Sequence, residues 1–127
     1  AQARALRLVS IGAPSTVHRP LDRFVARHRA TPAIVDGMRA HFRTRWGEDF
    51  DAIETEALAA RCVAAGAVPA LAVLHAVDDE QVPVAEAGYL ASLWPGATLT
   101  LVETGGHVAL LRDPAFVARV VAAATGG

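Results

Sequence analysis

Residues 69–107 read PALAVLHAVDDEQVPVAEAGYLASLWPGATLTLVETGGH. One apolar run, ALAVLH (residues 70–75), gives way to Asp78 and Asp79. A second, TLTLVE (residues 98–103), gives way to Gly105 and Gly106. Both runs are short, rich in Leu and Val, and end on turn-forming residues, the pattern of buried strands. Between them Ala87, Leu90, Ala91 and Trp94 recur at helical spacing over residues 83–94, and Pro95-Gly96 stops the pattern. Strand, helix, strand is a βαβ unit, so the two strands are expected to lie parallel.

Outward from this unit, residues 6–11 (LRLVSI) form a third apolar run that ends at Gly12. Polar positions alternate poorly in the first two runs along the chain, as in strands covered on both faces. On the C-terminal side, Asp113-Pro114 supplies an N-cap and a proline at N1. A helix to about residue 124 follows, with Phe116, Val117, Val120 and Val121 expected on its buried face.

Residues 15–68 differ, with three helical patterns and no strand. They fall at residues 20–28, at 32–43 behind the cap Thr31, and at 54–65. The second presents Ile34, Val35, Met38 and Phe42; in the third, Leu58 and Cys62 stand four apart. This is more helix than one crossover between neighbouring strands needs. The segment reads as an insertion that covers something.

The bulk numbers bound the function. The 127 residues match one domain, and 53% hydrophobic content excludes disorder. No apolar stretch reaches a membrane span, and no signal peptide or lipidation motif is visible. The chain opens on Ala1, compatible with a processed protein or a piece of a longer one. A single cysteine, Cys62, excludes an internal disulfide and a cysteine metal cluster, so a reducing, cytoplasmic setting is expected. Net charge is −1, which predicts no general affinity for nucleic acid. The charge is uneven: nine arginines and two acids give residues 1–45 a net +7, and three arginines and eleven acids give the remainder −8. Arg19, Arg23 and Arg27 share one helix face, either as an anion-binding stripe or as a solvated face opposite Leu21, Phe24 and Val25.

Five histidines are available for chemistry. His18, His28 and His41 have no companion acid at a telling spacing and read as surface or packing residues. His75, at a strand end, is either a satisfied core residue or an edge of a site. His107 follows a strand end directly, where open parallel sheets bind ligands, and Gly105-Gly106 lets the backbone turn sharply there. Asp78, Asp79 and Glu80 follow the neighbouring strand end, so a carboxylate from one loop can meet an imidazole from the other. No metal site is expected, since HExxH and a Cys/His cluster are both lacking. Gly12-Ala13-Pro14-Ser15-Thr16 lacks the second glycine and the lysine of a phosphate loop. No cofactor is expected.

PALAVLHAVDDEQVP (residues 69–83) and TLTLVETGGHVALLRDP (residues 98–114) together resemble the C-terminal part of the α/β-hydrolase fold family. The first is similar to its penultimate strand and acid turn, the second to its last strand and histidine loop. Their spacing, 28 residues from Asp79 to His107, suits the family, as do the helix between them and the final helix. LRLVSIGAP (residues 6–14) resembles the strand after which many members insert a helical cap. Ala76 departs from the glycine that many members carry after the histidine.

The resemblance implies an α/β fold of three parallel strands with flanking helices. Residues 1–14 and 69–127 would form the core part and residues 15–68 the helical cap. It places the catalytic acid on Asp79, four before Pro83, with Asp78 the weaker choice, and the general base on His107. The family's nucleophile sits in a G-x-S-x-G elbow, and this chain has none; its only serines are Ser10, Ser15 and Ser92. The implied function is therefore that of a C-terminal fragment of a serine esterase-type hydrolase acting on a small ester-like substrate. Alone, the fragment would be inactive. Alternatives are another nucleophile on the same fold (haloalkane or epoxide hydrolase, perhydrolase, lyase) or a non-catalytic α/β binding module. A three-stranded sheet leaves the strand at residues 6–11 with an unpaired edge, so the expected partner is the rest of a hydrolase sheet or a second copy in a homo-oligomer.

Overall fold

A computed structural model describes residues 6–126. The elements run β1 (Arg7–Ile11), α1 (His18–His28), α2 (Pro32–Trp46), α3 (Thr55–Ala64), β2 (Ala70–Ala76), α4 (Ala85–Leu93), β3 (Thr98–Val102), α5 (Gly106–Ala109) and α6 (Pro114–Thr125). The three strands form one parallel sheet in the order β1-β2-β3. Arg7 pairs with Ala70 and Ile11 with Leu74; Ala72 pairs with Thr98 and Ala76 with Val102. The chain is thus a mixed α/β protein with a three-stranded parallel sheet flanked by helices. Residues 1–5 and 127 of the expected core segments lie outside the described residues.

The alternation along β2 builds two core layers, because successive side chains of a strand point to opposite faces. Leu71 and Val73 pack with Ala59 of α3 and Ala87 and Leu90 of α4, joined by Trp94. Leu74 and Ala76 pack on the other face with Leu110 and Phe116, supported by Val9, Ile11, Val102 and Val120. The β2 strand is therefore covered on both sides, which is why its sequence is apolar apart from His75. Trp94 leaves the helix in an extended conformation and donates from its indole to the Pro69 carbonyl at 2.9 Å, tying the end of α4 to the start of β2.

Several expected faces are corrected. On α6, Phe116 and Val120 meet the sheet, but Val117 and Val121 are exposed. A narrow sheet covers only one stripe of a helix, the i, i+4 row. On α3 the inward residues are Ala59 and Cys62, while Leu58 is exposed. Small side chains let this helix approach Ala87, and the larger leucine is turned outward. No residue of α2 is buried, so Ile34 and Met38 face outward. That helix also runs past residue 43 to Trp46 and stops where Gly47 takes a positive φ and donates its N–H to Arg43. Among the described residues, β1 has no strand on its outer side, and no helix is long and apolar enough to cross a membrane.

Candidate functional site

Two loops leave the carboxyl ends of β2 and β3 side by side, held together by the Val77 N–H donating to the Val102 carbonyl at 2.8 Å. The β2 loop turns tightly on Asp79. Its Oδ1 accepts the N–H groups of Gln81 and Val82, each at 2.8 Å. Its Oδ2 meets Nδ1 of His107 at 2.8 Å. The Asp79 side chain is fully buried and the His107 ring is partly exposed. Burial pushes the Asp79 carboxyl up. The Val82 N–H, the His107 ring and the Gln81 N–H together outweigh it, so the group lies below the ordinary aspartate range. A carboxylate can only accept, so Nδ1 of His107 carries the shared proton, and in the neutral ring Nε2 keeps its lone pair. Among the described residues Nε2 makes no hydrogen bond.

The histidine loop is shaped by its glycines and by Asp78. Gly105 has φ 137°, and a Cβ there would lie 2.6 Å from Cδ2 of the buried Leu110, so only glycine fits. The Asp78 carboxylate accepts the N–H of Gly106 at 2.9 Å and that of Gly105 at 3.3 Å. Asp78, the weaker candidate for the acid, thus does different work: it bridges from the β2 loop to the start of α5, which carries His107.

The loop after β1 closes the third side. Gly12 donates to the Leu74 carbonyl and has φ 58°. A Cβ on it would stand 3.3 Å from Nδ1 of His107 and 3.4 Å from Oδ2 of Asp79. The glycine's role here is close approach, a use separate from the phosphate loop it fails to make. Gly12→Ala is expected to lower unfolding stability by about 1–2 kcal/mol through its left-handed backbone and to disturb the Asp79–His107 bond. An unchanged urea midpoint with an unmoved His107 ring proton would contradict both.

Sequence reasoning missed a second polar cluster. Ser15, fully buried, donates from Oγ to Oε2 of Glu86 at 2.6 Å, and its N–H donates to the same oxygen at 2.8 Å. Arg19 Nη1 reaches Oε1 of Glu86 at 2.6 Å, and its guanidinium lies over the Tyr89 ring at 4.3 Å. Burial raises the Glu86 carboxyl, but the Ser15 and Arg19 hydrogen bonds prevail and bring it from 4.5 down to about 2. The cluster ties the start of the 15–68 segment to the first turn of α4. Thr55 adds a hydrogen bond to the Ser15 carbonyl, and Glu54 accepts the Val17 and His18 N–H groups. No local pattern announces partners 71 and 67 positions apart.

The arginine stripe is therefore split. Arg19 serves Glu86, whereas Arg23 and Arg27 line an open cleft with Phe24, His28, Glu80 and Gln81. His18 does have companion acids, Asp51 at 2.7 Å and Glu54 at 3.4 Å, brought by the folding of the helical segment. His28 packs at a tilt against Phe24, and His41 is exposed. His75 is fully buried, with Nε2 2.8 Å from the Val82 carbonyl. Ser10 is an inward residue of β1, and Ser92 donates to the Tyr89 carbonyl within α4. Among the described residues, no group of three His, Cys, Asp or Glu side chains is placed to hold a metal ion.

No family model and no curated protein matches this sequence. Among solved structures, Rv0554 from Mycobacterium tuberculosis is similar over 93% of this chain, with a TM-score of 0.56 at 11% identity. The match covers 55% of that protein, so this chain spans about half its length. The likeness is one of α/β fold.

Proposed function

We propose that these residues are the C-terminal part of an α/β-hydrolase, with Asp79 as the acid and His107 as the general base of a Ser-Asp-His triad, and that the intact enzyme cleaves carboxylic esters. The observation that carries this reading is the 2.8 Å bond from Asp79 Oδ2 to His107 Nδ1, with the other carboxylate oxygen tied by two backbone N–H groups. That arrangement fixes one tautomer and leaves Nε2 able to accept a proton. In the reaction, Nε2 takes the proton of a serine hydroxyl as its oxygen attacks the ester carbonyl. It then returns the proton to the departing alcohol. Asp79, held ionised, stabilises the imidazolium between these steps. Water repeats the cycle on the acyl-enzyme. Residues 15–68 act as the cap, latched to the core through Glu86.

The reading needs a nucleophile and oxyanion donors from sequence outside these 127 residues. Its test is covalent labelling of the intact protein with a serine-directed phosphonate, followed by peptide mass mapping. The expected result is a single adduct on one serine outside residues 1–127, blocked by an ester substrate. No adduct, or one unaffected by substrate, would overturn the esterase reading. Turnover of a haloalkane or an epoxide in its place would identify an aspartate nucleophile served by the same histidine.

A further inference from the structure

We propose that His75 is a positioning residue for Asp79: through the Val82 peptide it holds the turn that aims the carboxylate at His107, an inference that rests on reading those two residues as the acid–base pair. His75 lies at the C-terminal end of β2 with no exposed surface. Its Nε2 is 2.8 Å from the Val82 carbonyl oxygen. A carbonyl only accepts, so Nε2 carries the proton and Nδ1 is left with a lone pair.

The Val82 residue is thereby pinned at both ends. Its N–H donates to Oδ1 of Asp79 and its carbonyl accepts from His75. Three bonds, from Gln81 N–H, Val82 N–H and His75 Nε2–H, close the turn around the acid. The same Nε2 stands 3.5 Å from Oδ2, the oxygen that meets His107. That is too long for a good hydrogen bond, but the N–H dipole still favours negative charge there.

A space-filling role does not account for this residue. Its neighbours along β2, Val73 and Leu74, are apolar, and an aliphatic side chain is the ordinary choice at a buried position of such a strand. Nδ1 of His75 is buried with no partner among the described residues, a penalty that an apolar side chain would avoid. What an apolar residue lacks is the donor to Val82. The flanking backbone cannot supply it, because β2's own amides are committed to the sheet.

The experiment compares His75→Gln with His75→Asn in the intact protein. The glutamine amide nitrogen reaches about as far as Nε2 and can donate to Val82; the asparagine amide falls short. His75→Gln is expected to keep kcat within about threefold, while His75→Asn loses about 100-fold in kcat with KM unchanged, since small misplacement of a catalytic group costs rate rather than binding. In parallel, the downfield proton NMR signal of His107 Nδ1–H is expected to persist in His75→Gln and to move upfield or vanish in His75→Asn. Wild-type behaviour of His75→Asn, or equal losses in both variants, would overturn the proposal. If the unsubstituted protein hydrolyses no ester, the esterase reading fails on that result alone, and the proton signal still decides the role of His75.

Discussion

Replacing His107 with alanine is expected to lower kcat of the intact protein by 10⁴- to 10⁶-fold, with KM changed little, as for removal of a triad base. On the proposed esterase reading, the ring hydrogen-bonded to the Asp79 carboxylate is the proton acceptor, and alanine would leave the serine hydroxyl undeprotonated. Asp79→Asn is expected to cost about 10⁴-fold for a different reason. The asparagine amide can donate to Nδ1, which drives the ring proton to Nε2 and removes the lone pair that accepts the serine proton. Steady-state hydrolysis of a chromogenic ester measures both losses. Nitrogen-15 NMR of the ring separates them, since Asp79→Asn should shift the protonated nitrogen from Nδ1 to Nε2. Retention of near-normal kcat in His107→Ala would refute the base assignment. An unchanged tautomer in Asp79→Asn would refute the explanation for the acid.

Glu86→Gln is expected to destabilise the protein by about 3 kcal/mol, the range for breaking a buried charge-assisted cluster. The carboxylate accepts two bonds from Ser15 and one from Arg19. A carboxamide has one acceptor oxygen, and its NH2 group must face either the Ser15 donors or the guanidinium. Most of the loss belongs to the fully buried Ser15, because Arg19 is nearly half exposed and its attraction is screened by solvent. The effect is also visible in acid. Glu86 lies near 4.5 unfolded and about 2 folded, a lowered value. Its stabilisation is complete above about pH 4.5, shrinks as pH falls, and is gone below about pH 2. Asp79, also lowered, adds to the same acid-side loss. Urea midpoints from pH 6 to pH 2.5 should fall more steeply in the wild type than in Glu86→Gln. Parallel curves would exclude Glu86 as a source of the slope. Because Glu86 also ties Ser15 and Arg19 to α4, trypsin cleavage after Arg23 and Arg27 should be faster in the variant.

Much of the sheet was legible because strand signals are local. Apolar runs ending on Gly12, Asp78 and Gly105 marked three strands, and the helix between the second and third required them to be parallel. That a carboxylate of residues 78–80 could meet His107 was legible for a related reason: both loops follow the carboxyl ends of neighbouring parallel strands; the family resemblance, and not this placement, singled out Asp79. Helix faces were less legible. Val117, Val121 and Leu58 satisfy the same periodicity as Phe116 and Cys62, and periodicity does not say how much of a helix the sheet reaches.

The sequence by itself determined the three strands, the five longer helices, their order and the positions of two strand-end loops, because each depends on residues within a few positions of one another. Only the tertiary structure decided that Asp78 ties the histidine loop, that Gly12 stands against the acid–base pair, and that Ser15 and Arg19 converge on Glu86. Those partners lie far apart along the chain, and a hydrogen bond depends on a few tenths of an ångström that only the packed sheet and helices define.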